Sequence, residues 1–340
     1  MLPFLLALLT AAPVSAPPPP LAPLRLAGAA FGQAVEIEVR DQPRDAAWAA
    51  IQTALAEVAE MEKLCDPDAS PEGRPGSIAA LNARAGGGAV AVDPRLMPAL
   101  KRGLEVCFWS ERAHGPLARD LYRLWGLRAP ATARPGADRE AMQAALNAAS
   151  CRNLSIDLQA GTATLAAGGA VDLWGFVEGL AVDRAVDVLQ QRGVANGFVQ
   201  IGGVYRGFGQ GLDQRGWHVL LPVLPGMTQP MARVFLHGQA LGLASVADRP
   251  LRVETAGEAL PPYLNQRTAR PAQGTVAAAV VTELALDAQA LAVTLFIAGP
   301  GEGQYRLGSL TPRPSVLWLS GSGSGEPLAI EYRWGMVAKK

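Results

Sequence analysis

Residues 171–203 read VDLWGFVEGLAVDRAVDVLQQRGVANGFVQIGG, and the order of elements in this stretch decides the fold class. An apolar approach at Val171–Leu173 leads to Gly175, a turn residue. In the run that follows, Val177, Leu180, Ala181, Val188 and Leu189 fall mainly on one face at three-and-four spacing, which predicts a helix. Gly193 suits the left-handed position that closes such a helix. Phe198, Val199 and Ile201 then make a strand ending at the pair Gly202-Gly203. A helix start and a glycine pair this close can turn several backbone N–H groups on an anion, although most helix-then-strand units of this kind bind nothing.

Outward from that unit, strands and helices mix without a repeat or a second domain boundary. Upstream, Val35, Ile37 and Val39 alternate with Glu36, Glu38 and Arg40 as a half-buried strand. Asp45 is read as the cap of a helix with Trp48, Ile51, Leu55, Val58 and Met61 on one face. Asp93-Pro94 opens a helix to about Ser110, and another helix covers about 138–149. Residues 154–158 and 162–165 form a hairpin. Downstream, 216–224, 232–237 and 240–247 read as strands and 261–274 as a loop. Val276–Thr282 is apolar throughout, hence central and buried on both faces. An apolar helix at 286–298 and strands at 314–319 and 328–332 complete a mixed α/β (α+β) domain.

Hydrophobic residues make up 49% of the 340 and charged residues 18%, a composition that can build a sizeable core. Thirty basic residues cancel thirty acidic ones, and no basic run is present, which argues against a nucleic-acid partner. The start of the chain, MLPFLLALLTAAPVSAPPPPLAP, reads as a secretory signal over 1–16, with a proline-rich tether over 17–27 and the domain over 28–335. Leu2–Leu9 is too short to span a bilayer. No Lys or Arg precedes it and Pro17 follows Ala16, so cleavage near Ala16, cleavage nearer Ala11 or Ala12, and retention as an anchor all stay open. Export to the periplasm or cell envelope is the expectation, with membrane contact only through an uncleaved signal. Cys65, Cys107 and Cys151 lack metal-ligand spacing. They allow one disulfide, but Cys107 sits among apolar helix residues and is read as a buried thiol.

Four blocks in order carry a resemblance: DLWGFVEGLAVD at 172–183, QIGGV at 200–204, PYLNQRTARP at 262–271 and AQALAV at 288–293. MEKLCD at 61–66 and LYRLWGL at 121–127 extend it over about 31–319. The chain resembles the FAD:protein FMN transferase family of bacterial cell envelopes, the ApbE-like flavin transferases. The resemblance implies FAD and a magnesium ion as cofactors. It also implies transfer of FMN to a Ser or Thr of a target flavoprotein, with release of AMP. Carried over position by position, it marks Asp172, Gly175, Gly202, Gly203, Arg267 and Thr268 as cofactor-binding.

The same blocks depart from the family where chemistry is expected. Gln289 and Val293 stand where the family's metal helix has Asp and Thr, and a hard cation wants anionic oxygen. Asp287 and Thr294 lie two and one residues away, about 200° and about 100° around a helix, so neither restores the face. Pro262 and Asn265 replace His and Asp, and Val204 and Gly115 each replace an Asp. Trp174 and Val246 replace glycines, and Glu178 replaces a Lys, a reversal repulsive to a diphosphate by about 1 kcal/mol at 4 Å in water-like surroundings. His114, His218 and His237 read as structural or surface residues. No residue is therefore assigned to catalysis or to metal, and magnesium is doubtful. The sequence favours a degenerate relative over an active transferase with a rearranged metal site, with a non-catalytic flavin binder between them.

Overall fold

An eight-stranded, wholly antiparallel sheet organises the computed structural model, which describes residues 21–127, 139–211, 214–248, 251–252, 259–260, 263–321 and 325–336. Its strands in spatial order are Leu24–Ala30, Gln33–Val39, Gly197–Ile201, Val204–Phe208, Ala240–Ser245, Thr275–Thr282, Ser315–Ser320 and Leu328–Tyr332. Thr275–Thr282 is apolar between its terminal threonines because it serves two cores: Ala277, Ala279 and Val281 join one, Ala278 and Val280 the other. One face carries helices Arg44–Cys65, Val177–Gln191 and Ala285–Leu307; the other carries the hairpin Trp217–Leu220 with Arg233–Leu236. The result is the expected mixed α/β architecture.

Several expectations need correction. The first strand begins at Leu24, so the sheet takes up residues assigned to the tether, and the domain starts before 28. Residues 1–16 of the proposed signal, and 17–20, lie outside the described residues. Pro43, not Asp45, occupies the cap position of the first helix, and Trp48 is 54% exposed rather than on the buried face. Cys107 is no thiol: it is bonded to Cys151, which a 3-10 turn brings to a Cα–Cα distance of 5.9 Å. Cys65 is the buried free thiol. Within 261–274, Leu264–Asn265 pairs with Arg270–Pro271. The helix begun at Ala285 runs on to Leu307 across a break at Gly299, which precedes Pro300.

Helices Val177–Gln191 and Ala285–Leu307 meet at Gly179. A Cβ there would lie 2.5 Å from Ala285 O and 2.7 Å from Leu286 Cα, so only glycine permits the approach. This contact brings the starts of the two helices together beside the sheet.

Candidate functional site

A cleft of about 260 Å³ opens between the start of helix Val177–Gln191, the turn at Gly202-Gly203 and helix Ala285–Leu307. Gly202-Gly203 is the two-residue turn of a tight hairpin that pairs Ile201 with Val204. Of the six residues marked as cofactor-binding, Gly175, Gly202 and Gly203 line the cleft. Asp172 lines a neighbouring cavity, and its Oδ1 accepts a hydrogen bond from Trp174 N at 2.9 Å. Arg267 is not among the lining residues. Its Nη2 contacts both Glu302 carboxylate oxygens, at 3.0 and 2.8 Å. Thr268 is exposed and donates to Asn265 O at 3.4 Å. Pro262 lies outside the described residues.

The positions that depart from the family are gathered here too: Trp174, Glu178, Val204, Gln289 and Val293 all line the cleft. Two of them bind each other. Gln289 Oε1 accepts from Gly179 N at 2.7 Å, while its Nε2 donates to Glu178 Oε2 at 2.5 Å. Both side chains are over nine-tenths buried. The one carbonyl oxygen that Gln289 could offer a cation, and a first-turn N–H that could meet an anion, are thus spent on each other. The neighbours that might have substituted are engaged as well. Asp287 pairs with Arg102 at 2.8 Å, and the Thr294 hydroxyl donates to Ala290 O at 2.6 Å within its own helix. At the start of helix Ala285–Leu307, the Ala285 and Leu286 N–H groups donate to the Asp183 carboxylate, both at 2.9 Å, and Arg206 pairs with the same carboxylate at 2.6 Å.

Tertiary structure adds residues that no motif marked. Asp248 lines the cleft, and its carboxylate accepts bonds from Ser245 N (2.7 Å), Ser245 Oγ (2.9 Å) and the Tyr263 hydroxyl (2.8 Å). Burial raises its pKa above the usual carboxylate value, and the charge of Glu178 adds to the rise. Burial, followed by the charge of Asp248, pushes the Tyr263 phenol well up. Tyr205 and Gln33 complete the polar wall. Among the described residues that line the cleft there is no Lys, Arg or His. Behind Gly175, which adopts a φ of 88°, lies His114. Its imidazole stacks on Phe176 at 4.6 Å and is fully buried, and neither ring nitrogen has a hydrogen-bond partner. Burial pushes its pKa down to about 3, so the ring is neutral. Sequence offered no cue for Asp248, because its partners come from Ser245 and from a distant segment.

Among the described residues, no three His, Cys, Asp or Glu side chains converge in a group able to hold a metal ion. Among the described residues, the anionic donors in the cleft are two carboxylates, one already bonded to an amide and the other to a serine and a tyrosine.

The family model described as "ApbE family" matches residues 31–316. A FAD:protein FMN transferase of Rhodobacter capsulatus is 27% identical over 300 residues, covering 86% of this chain and 55% of that protein. Another, from Haemophilus influenzae, is 27% identical over 132 residues, 38% of each. The chain therefore spans about half, or less, of the length of these relatives. The fold is similar to the crystal structure of an ApbE protein of Thermotoga maritima, with a TM-score of 0.81 at 19% identity, covering 94% of this chain and all of that one. It is also similar to the apo flavinyl transferase ApbE of Pseudomonas stutzeri, with a TM-score of 0.76 at 18% identity over 94% and 97% of the two chains.

Proposed function

From the premise that the chain belongs to the ApbE family of flavin transferases, we propose that it is an envelope protein that keeps the family scaffold and has lost magnesium-dependent transfer of FMN from FAD. The observation that carries this reading is the Glu178–Gln289–Gly179 closure. In the resemblance, position 289 bears the carboxylate that seats the cation, and position 178 a lysine. Here an amide and a carboxylate occupy them and satisfy each other. A magnesium ion wants near-octahedral hard oxygens, and a diphosphate wants cations or free N–H groups. Among the described residues the cleft offers no cationic side chain and no group of carboxylates able to hold a metal, so the residues present do not fit the FAD–magnesium pair and no transfer step is derived through them.

The alternative, an active transferase with a rearranged metal site, would need Asp287, Thr294 or Arg267, and each has another partner. Export to the periplasm is supported by the apolar N-terminal segment and by the Cys107–Cys151 disulfide, since such bonds persist in oxidising compartments. A target flavoprotein is the partner that the family chemistry would supply, and a scaffold could retain contact with it without performing the reaction. The deciding experiment is isothermal titration of FAD with and without magnesium, followed by assay for AMP in the presence of a Ser/Thr-bearing target peptide. The reading expects no magnesium-dependent FAD heat and no AMP. Tight binding that appears only with magnesium would overturn it.

A further inference from the structure

We propose that the free edge of the first strand, with the flank of the helix packed over it, is the docking surface for a second copy of this chain. Strand Leu24–Ala30 closes one end of the eight-stranded sheet, and among the described residues nothing pairs with its outer side. Ala34 O accepts from Gly202 N at 3.0 Å, so Ala34 turns its backbone away from Ala29, the residue opposite it on the first strand. By the alternation of an antiparallel ladder, Arg25, Ala27 and Ala29 therefore point their N–H and C=O groups out of the sheet edge. The ladder to the second strand is unbroken over all seven residues, with no bulge and no proline. The one charged residue, Arg25, is bonded back to Glu38 of its own chain at 2.9 Å. A regular edge without these guards is a template for another strand.

The occupant follows from how the edge pairs with itself. An antiparallel two-fold centred on Ala27 sets Arg25 opposite Ala29 and Leu24 opposite Ala30, using all seven residues with no like charges opposed. Helix Arg44–Cys65 supports the same axis. It lies against the first strand, with Leu55 Cδ2 3.5 Å from where a Gly28 Cβ would stand, and Glu62 Oε1 accepts from Phe31 N at 2.6 Å. Its other flank faces the interior helix, where Arg184 donates to Glu57 at 3.0 Å. Arg44, Trp48, Leu55, Ala59 and Glu62, at spacings of four, seven, four and three, thus form one stripe on the edge side. Within it Arg44, Trp48 and Ala59 are exposed, Trp48 by 54%. With a rise of about 1.5 Å per helical residue against about 3.4 Å per strand residue, the axis through Ala27 passes close to Thr53. Arg44 and Glu62 stand equally far on either side of that point, so the two-fold opposes each arginine to the glutamate of the other copy. It lays each Trp48 beside the small Ala59 of the other copy. Opposite charges at the ends, with an exposed indole over a small residue between them, make the surface self-complementary. The four prolines at 17–20, just before the strand, lack the N–H groups needed to pair with it themselves.

Sedimentation velocity of the full chain from about 1 to about 100 μM, with crosslinking through added cysteines, tests the surface. A reversible shift from monomer to dimer is expected across that range. Trp48→Glu, at an exposed position, and Ala27→Pro, which deletes an outward N–H, should each weaken dimerisation by at least about tenfold, in proteins shown by circular dichroism to be folded. The register is read separately. Residues directly opposed across such a pair have Cα atoms about 5.5 Å apart, within disulfide reach, so Ala27→Cys should give a disulfide-linked dimer when oxidised with diamide. Ala29→Cys, on the same face but opposite Arg25, should not. A chain that stays monomeric to about 100 μM overturns the proposal, whether its own residues 1–20 or nothing at all covers the edge. So does a dimer insensitive to both Trp48→Glu and Ala27→Pro, a species that grows beyond the dimer, or crosslinking of Ala29→Cys as strong as that of Ala27→Cys.

Discussion

At the scale of single residues, Glu178 and Gln289 form a matched pair, and their energetics can be tested by swapping the match. Gln289→Asp would set a second carboxylate against Glu178 in a site where both side chains are over nine-tenths buried, and would leave Gly179 N as the only donor between them. An uncompensated buried charge of this kind costs about 3–5 kcal/mol, to be read as a lowered urea midpoint. The double variant Glu178→Lys with Gln289→Asp restores opposite charges and should recover most of the loss. A cycle with no coupling between the two positions would show that the bonds at 2.5 and 2.7 Å carry no weight. His114 gives a second test through pH. Its pKa in the fold is pushed down to about 3 by burial, against an ordinary value of 6.5. Between those values the unfolded chain takes up a proton that the folded chain refuses. Stability should therefore fall as pH drops through that window, by up to about 1.4 kcal/mol per pH unit from this residue. His114→Phe should flatten the profile there and, by removing two orphaned nitrogens, stabilise the fold by about 1–3 kcal/mol at neutral pH. Denaturant melts from pH 7 to pH 4 would decide it, and an unchanged slope would mean that the imidazole is not the neutral buried group described.

At the scale of elements, the two helices that frame the cleft are set by one missing side chain. Gly179→Ala would drive a methyl against Ala285 O and Leu286 Cα at 2.5 and 2.7 Å, both backbone atoms that cannot rotate away. Overpacking of this kind costs about 1–3 kcal/mol, and it should move the helix starts apart, weakening the Gln289–Gly179 bond as well. A thermal melt unchanged from the parent would count against so close a crossing. The elements themselves were largely legible, since periodicity marks them. Val177–Gln191 and Thr275–Thr282 follow from three-and-four spacing and from an unbroken apolar run. Leu24–Ala30 was hidden because LRLAGAA shows little alternation and follows a proline tract, and Val204–Phe208 because Arg206 and Gly207 break its apolar pattern. The cap at Ala285 was beyond sequence reasoning: its acceptor, Asp183, belongs to another helix more than a hundred positions away.

For the whole molecule, the cleft could be read from sequence only in outline. The glycines at 175, 202 and 203 came to one wall because turn residues are fixed by local backbone, whereas Arg267 turned to Glu302, a choice that depends on how a loop packs on a helix. Asp248 and Tyr263 meet only after the sheet is complete, so no spacing could announce them. The same dependence on tertiary closure governs Cys107 and Cys151, which were not paired from sequence. Their bond ties helix Met97–Trp109 to the turn before Leu154–Asp157, closing a loop with a sequence separation of 44. For a loop of that length, chain entropy lost from the unfolded state amounts to about 4 kcal/mol of stabilisation. Gly115 sits against this bridge, since a Cβ there would lie 2.8 Å from Cys107 Sγ, and the neighbouring His114 backs the cleft at Gly175. Urea unfolding of the Cys107→Ser/Cys151→Ser double variant should therefore show a loss approaching that figure, with Cys65 still buried and slow to react with thiol reagents in the folded state. A loss confined to a few tenths of a kcal/mol would mean that the unfolded chain is already compact around this loop, and that the cleft floor does not depend on the bridge.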